Sequence, residues 1–195
     1  SGKACKLIMK HWVKKDQRAP DFIVIEGALA GGHLGFKKED LENQTYQSLE
    51  EIFQEVEQVV ESFQLNIPIF VAGGIHQRSD VKHFFGVQVA SRFIPTYECD
   101  ASMKYKEAFL KAKKEEVGLV SSPVGMPGRA FQNTFVQKTK QEKVPIKKCY
   151  QCLTPCNLKT TPYCISRALI EAVKGNLDEG LIFTGAYGYM QDHLM

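Results

Sequence analysis

The sequence predicts an α/β fold built on a parallel sheet, and three observations carry that reading. Its apolar runs "DFIVIEG" (21–27), "IPIFVAGG" (67–74) and "GVQVASRF" (86–93) lack clean polar alternation, as strands buried on both faces do. Each is followed by a helical pattern rather than by a hairpin turn. Each also ends on small residues: Gly27 through Gly32, Ala72-Gly73-Gly74, and Ala90-Ser91. About four βα units are discernible, half the number an eight-stranded barrel needs.

In chain order, residues 3–15 read as a helix and 21–27 as a buried strand. "SLEEIFQEVEQVVESF" (48–63) is the strongest helix, with Leu49, Ile52, Phe53, Val56, Val59, Val60 and Phe63 on one face. Ser48 and Glu51 form the S-x-x-E capping box that starts it. The strand 67–74 follows, then a short helix around Asp80–Phe85, the strand 86–93 and a helix over 102–115. "GLVSSPV" (118–124) reads as a fourth strand and "GMPGRAFQNTF" as irregular. A polar stretch, 137–148, links these units to a Cys-rich segment, a helix over 162–176 and the run "GLIFTGAYGYM". The expected division is therefore a βα body, 1–136, and a Cys-rich tail with its helix, 137–195.

Composition narrows the function. A chain of 195 residues, 44% hydrophobic, can build one good core or part of a larger one. The net charge of +3 is small and the lysines are scattered, which argues against a nucleic-acid partner. No apolar run reaches the roughly 18–20 residues that span a bilayer, so no membrane partner is expected. The opening "SGKACKLIMKHWVKK" has the pattern of an amphipathic helix, not of a signal peptide. A cytoplasmic setting and a small-molecule substrate are the expectations.

The candidate site lies at the strand ends. In parallel α/β folds the carboxyl ends of the strands line the ligand site, and glycines there expose backbone N–H groups to an anion. Two consecutive small-residue strand ends separated by one helix suit a phosphate held by neighbouring βα loops. His33 stands among glycines, where an imidazole projects without neighbouring bulk and can serve as base, acid or donor. His11, His76, His83 and His193 have no comparable setting, and Arg92 and Arg129 are assigned no role.

Four of the six cysteines, Cys149, Cys152, Cys156 and Cys164, crowd into "CYQCLTPCNLKTTPYC", with the spacing C-x2-C-x3-C-x7-C. Such a set can hold tetrahedral zinc or a [4Fe–4S] cluster, or can remain as reduced thiols in a packed tail. Cys5 and Cys99 read as buried free thiols.

"EGALAGGHLGF", "IPIFVAGGI", "GVQVASRF" and "GMPGRAFQN", in this order and spacing, resemble the FMN-dependent nitronate monooxygenases, formerly 2-nitropropane dioxygenases. The flavin-dependent enoyl-ACP reductases share these motifs. The resemblance implies a TIM (β/α)8 barrel with FMN at the carboxyl end of its strands, of which this chain is the C-terminal half carrying a Cys-rich C-terminal segment. It implies that His33 is the active-site histidine and that Glu26 lies near the flavin. Ala30, Gly31 and Gly32 match the loop under the cofactor, and Gly73 and Gly74 match the phosphate-binding glycines. Ala90 and Ser91 stand in place of the usual Gly-Thr pair, and Leu29 stands where many members have glutamate.

The implied reaction is oxidation of a nitronate or nitroalkane to a carbonyl compound and nitrite, with oxygen as final acceptor. His33 would remove or stabilise a proton at the carbon bearing nitrogen. The competing reading is an enoyl-thioester reductase driven by NAD(P)H. The first three cysteines resemble the C-x2-C-x3-C run of iron–sulfur flavoenzymes of the dienoyl-CoA reductase group. The expected partners are the substrate and the missing N-terminal half of the barrel, and a homodimer is compatible with both.

Overall fold

Ser48 Oγ accepts the Glu51 N–H at 3.2 Å while the Glu51 carboxylate accepts the Ser48 N–H at 2.7 Å, so the expected capping box opens the longest helix. The structure is a computed structural model that describes residues 1–81, 83–154 and 156–195. These fall into two units, residues 1–29 with 39–89, and residues 30–38 with 90–195. In chain order the elements are α1 (Gly2–His11), β1 (Ile23–Glu26), β2 (Gly32–His33), α2 (Lys38–Asn43), α3 (Leu49–Ser62), β3 (Ile69–Ala72) and β4 (Gly86–Gln88). There follow α4 (Met103–Lys111), β5 (Val117–Ser121), β6 (Pro127–Phe131), α5 (Thr134–Gln141) and α6 (Ile165–Lys174). The expected α/β class is what the chain forms.

The first unit holds a parallel sheet in the order β1-β3-β4, with Ile25 opposite Val71 and Glu26 opposite Ala72. One face is covered by α3, whose Ile52, Phe53, Val56 and Val60 are buried together with Ile25, Ile69 and Val71 of the sheet. Burying each such side chain contributes about 1.5–3 kcal/mol. The other face carries Phe22, Val24 and Phe70, with Phe22 edge-on to Phe70 at 5.6 Å, and here Phe22 is 57% exposed and Val24 40%. The helix α1 packs on α3 and continues into a wider π-helical turn, Trp12–Asp16, that Gln17 ends in a left-handed conformation.

The second unit is built differently from expectation. The run 118–124 is not a fourth parallel strand: β5 forms an antiparallel hairpin with β6, with Ser121 opposite Pro127. The segment "GMPGRAFQNTF", expected to be irregular, supplies that central strand β6, which also pairs antiparallel with β2. Pro127 is tolerated as the first residue of the strand, where no ladder N–H is lost from its middle. Among the described residues the core of this unit includes a cluster of Val120, Ala130, Phe135, Tyr163 and Leu181 and another of Phe109, Phe131, Ala172 and Ile182.

Three further boundaries differ. The strand expected over 86–93 stops at Gln88, and Ser91–Phe93 curl into a 3-10 turn closed by Phe93 N–H donating to Ala90 O at 2.9 Å. The helix expected around Asp80–Phe85 is a single 3-10 turn, Arg78–Asp80, held by Asp80 accepting the His76 and Gln77 N–H groups; Lys82 lies outside the described residues. The stretch 137–148 is not all linker, since α5 runs to Gln141. No helix among the described residues is long and apolar enough to cross a membrane.

Candidate functional site

In the second unit, the antiparallel pairing of β2 with β6 and of β6 with β5 brings the glycine-rich stretch alongside the β5–β6 turn. His33, opposite Gly128, places Nε2 2.7 Å from Ser122 Oγ. The Val124 N–H also donates to Ser122 Oγ, at 3.4 Å. The arrangement that satisfies all three groups has the serine hydroxyl donating to Nε2, which leaves the proton of the neutral imidazole on Nδ1. Phe183 lies edge-on to the ring with centroids 5.0 Å apart. Burial pushes the half-buried His33 imidazole below the ordinary histidine range, so the ring is neutral at pH 7.

Gly31 is explained by packing. A Cβ there would stand 2.6 Å from both Gly185 N and Thr184 C, which are backbone atoms that cannot step aside cheaply. Gly185 in turn donates its N–H to Ser91 Oγ at 2.9 Å, so Gly31 and Ser91 meet the same short segment. The Ser91 oxygen thus already has a donor, while its own proton is available to give. Gly32, at φ +73°, would place a Cβ in open space with no atom within 4 Å. Ala30 is buried, and its carbonyl accepts from the Arg129 guanidinium at 2.7 Å. Ala90 is exposed beside Ser91.

In the first unit, Glu26 ends β1 next to Ala72, and the Gly27 N–H donates to Ala72 O at 2.9 Å. Gly73 and Gly74 follow immediately with φ of +88° and +79°, a conformation L side chains rarely adopt. At Gly74 a Cβ would also press on the Leu29 side chain at 3.0 Å. Glu26 therefore shares a sheet end with Gly73 and Gly74. It sits on the same face as Val24, and partial loss of its hydration pushes its carboxyl above the usual glutamate range.

Sequence reasoning missed Ser122, Phe183 and the link from Arg129 to Ala30. None has a local signal, because each depends on pairing across long separations.

The four clustered cysteines are all free, with Cys149 and Cys152 exposed and Cys156 and Cys164 half-buried. No three His, Cys, Asp or Glu side chains among the described residues gather closely enough to hold a metal, so neither the zinc nor the iron–sulfur cluster expected as alternatives finds a preformed site.

The model of a protein family described as "Nitronate monooxygenase" matches residues 1–195. A probable nitronate monooxygenase from Staphylococcus saprophyticus is 30% identical over 134 residues, 66% of this chain and 37% of that protein. One from Bacillus subtilis is 26% identical over 132 residues, 65% of this chain and 36% of that protein. FabK from Thermotoga maritima superposes over 100% of this chain and 54% of its own, with a TM-score of 0.68 and 20% identity. A nitroalkane oxidase from Streptomyces ansochromogenes does so over 100% and 51%, with a TM-score of 0.66 and 18% identity. The matched region thus spans little more than a third of the curated relatives and about half of the solved structures.

Proposed function

The chain belongs to the nitronate monooxygenase family, and on that footing we propose that it is the C-terminal half of an FMN-dependent (β/α)8 barrel that oxidises nitronates or nitroalkanes with oxygen to a carbonyl compound and nitrite. The observation that carries the reading is the neutral, half-buried His33 held by Ser122 in a stretch nearly free of other functional side chains. The half-barrel reading is supported by the parallel sheet itself. Such sheets are covered on both faces, yet Phe22 and Val24 leave an apolar face in water. On this reading residues 137–195 are a tail packed on the hairpin β5–β6, as the shared cluster of Val120, Ala130, Tyr163 and Ile165 supports.

The residues present fit the cofactor. Gly73 and Gly74 take the left-handed backbone at a strand end that only glycine adopts freely, Gly32 leaves open space, and Ser91 keeps a hydroxyl proton to donate. On the family pattern, Gly73 and Gly74 in the first unit would meet the phosphate and Glu26 the flavin; in the second unit, Ala90 and Ser91 match phosphate-binding positions and Ala30, Gly31 and Gly32 match the loop under the ring system. When bound, FMN supplies the two-electron acceptor that no side chain can provide.

The chain's own part is proton handling and orientation. With Nε2 tied to Ser122, the other ring nitrogen of His33 faces the substrate. As Nδ1–H it donates to a nitro or nitronate oxygen and draws charge away from the adjacent carbon. In the other neutral tautomer, with the proton on Nε2 and donated to Ser122 Oγ, Nδ1 carries the lone pair and takes the proton from that carbon. Partial desolvation raises the Glu26 carboxyl above the usual glutamate range.

Nitrite release from a nitronate by the full-length, flavin-loaded protein tests the proposal. His33→Asn is expected to lower kcat/KM by about 10²–10⁴-fold, the usual contribution of a positioned acid or base. Anaerobic bleaching of the flavin by NAD(P)H, accelerated by an enoyl thioester and without nitrite formation, would replace this reading by the enoyl-thioester reductase.

A further inference from the structure

We propose that a cavity in the second unit, beside the start of α6, binds a small anionic amphiphile: one apolar chain ending in a carboxylate. The cavity holds about 400 Å³, toward the lower end of the roughly 300–1,000 Å³ of small-molecule sites. Its inner wall is apolar. Tyr163 and Ile165 are buried there, Pro123 and Leu153 are half-buried, and the half-buried thiols of Cys156 and Cys164 behave as small apolar groups. His33 does not line it, so the site is separate from the proposed oxidation.

The polar atoms of the inner wall are already engaged. The Tyr163 hydroxyl donates to Ser121 O at 3.2 Å, and the Thr161 hydroxyl lies 3.4 Å from Cys156 Sγ. No buried side-chain nitrogen or oxygen among the described residues lacks a partner. A polar group entering here would lose its water without replacement, which selects a hydrocarbon chain. The wall is also tied together in advance. The Val144 N–H donates to Pro162 O at 2.8 Å, and the Lys143 ammonium donates to Leu158 O at 2.8 Å and Lys159 O at 2.7 Å. An occupant need not order these segments as it binds.

Charge selects the head. Residues 143–164 include Lys143, Lys147, Lys148 and Lys159 but no Asp or Glu. Lys147 and Lys148 are exposed, and Lys148 Nζ stands 5.3 Å from the centre of the Tyr150 ring, itself part of the exposed rim. A carboxylate at the mouth meets ammonium groups there, whereas a cationic head is repelled.

The test titrates sodium decanoate, below its micelle-forming concentration, into the reduced full-length protein by calorimetry and follows alkylation of each cysteine by iodoacetamide. Saturable binding is expected. Decanoate at about ten times its dissociation constant leaves roughly one site in eleven free, so alkylation of Cys156 and Cys164 should slow about tenfold. Cys5 and Cys99 lie outside the cavity and should react at their original rates. Decanol and decyltrimethylammonium should bind more weakly than decanoate. Replacing both exposed lysines, Lys147→Ala with Lys148→Ala, should weaken decanoate about threefold to tenfold, as loss of exposed charge pairs does, and leave decanol as it was. These readouts need neither flavin nor nitronate turnover, so they stand or fall apart from the oxidase reading. Absence of saturable binding, equal slowing at Cys5, or either uncharged or cationic analogue binding as tightly as decanoate overturns the assignment.

Discussion

His33 Nε2 and Ser122 Oγ meet at 2.7 Å although 89 positions separate them in the chain. The serine acts on the reaction only through the ring, by fixing which nitrogen carries the proton. Ser122→Ala is therefore expected to lower kcat roughly fivefold to tenfold, as loss of a hydrogen bond worth about 1 kcal/mol does, with KM little changed. Ser122→Thr should restore most of the rate. A rate equal to wild type in Ser122→Ala would remove the serine from the mechanism.

The pH dependence follows from the sign of the His33 shift. Burial keeps the folded ring neutral below the ordinary histidine pKa of about 6.5. Activity that needs the neutral ring should therefore persist through that value and fall only at lower pH. Folding is linked in the opposite sense. The unfolded chain takes up its proton first, so this group costs the fold stability as pH drops from the ordinary value to the folded one, and adds no further cost below it. A kcat/KM profile measured beside urea melts over the same range checks both. An acid limb at or above the ordinary histidine value would contradict the burial argument.

Helix α3 was legible because Ile52, Phe53, Val56 and Val60 repeat at helical spacing and Ser48 announces the start. The strands β1 and β3 were legible as apolar runs, and His33 as the one polar group in a side-chain-poor stretch. The strand β6 was hidden because Pro127, Gly128 and Arg129 are the residues of a turn by composition. Gly128 is in the strand because the Phe183 ring would stand 3.0 Å from a Cβ there, a tertiary demand with no local signature. Ser122 was invisible for the same reason: only the order β2-β6-β5 places it beside the imidazole. Local patterns revealed elements; cross-strand pairing decided which side chains meet.

Gly31 and Gly32 should respond differently to an added methyl. Gly31→Ala forces a Cβ onto the backbone of Thr184 and Gly185 at 2.6 Å, an overpacking expected to cost about 1–3 kcal/mol of stability. Gly32→Ala meets no atom, and its cost is the left-handed backbone alone, about 1–2 kcal/mol. If Gly32 lies beneath the flavin, its variant should lose bound FMN out of proportion to its change in melting temperature. Parallel measurements of flavin content and thermal unfolding separate the two. Equal flavin content in wild type and Gly32→Ala would place the cofactor elsewhere.

Asn133 offers a prediction in which the conservative variant is the harmful one. Its Oδ1 accepts the Val136 N–H at 3.1 Å and caps α5, while its Nδ2 donates to Leu177 O at 2.9 Å and Gly180 O at 2.8 Å. One side chain thus starts a helix and pins the turn after α6. Asn133→Ala loses the cap, worth about 1 kcal/mol, and leaves two carbonyls without their donor. Asn133→Asp keeps the cap and even improves it, because a carboxylate suits a helix N-terminus. Yet it replaces the two donated bonds by a negative oxygen facing two carbonyl oxygens, and hydrogen bonds lost in a half-buried setting cost about 1–3 kcal/mol. The expected order of stability at pH 7 is wild type first, with Asn133→Asp no better than Asn133→Ala despite its retained cap. Lowering the pH through the carboxylate range should then rescue Asn133→Asp selectively, since the protonated acid regains one donor. Were Asn133→Asp to match wild type at neutral pH, the two bonds to Leu177 and Gly180 would contribute nothing and the cap alone would account for the residue.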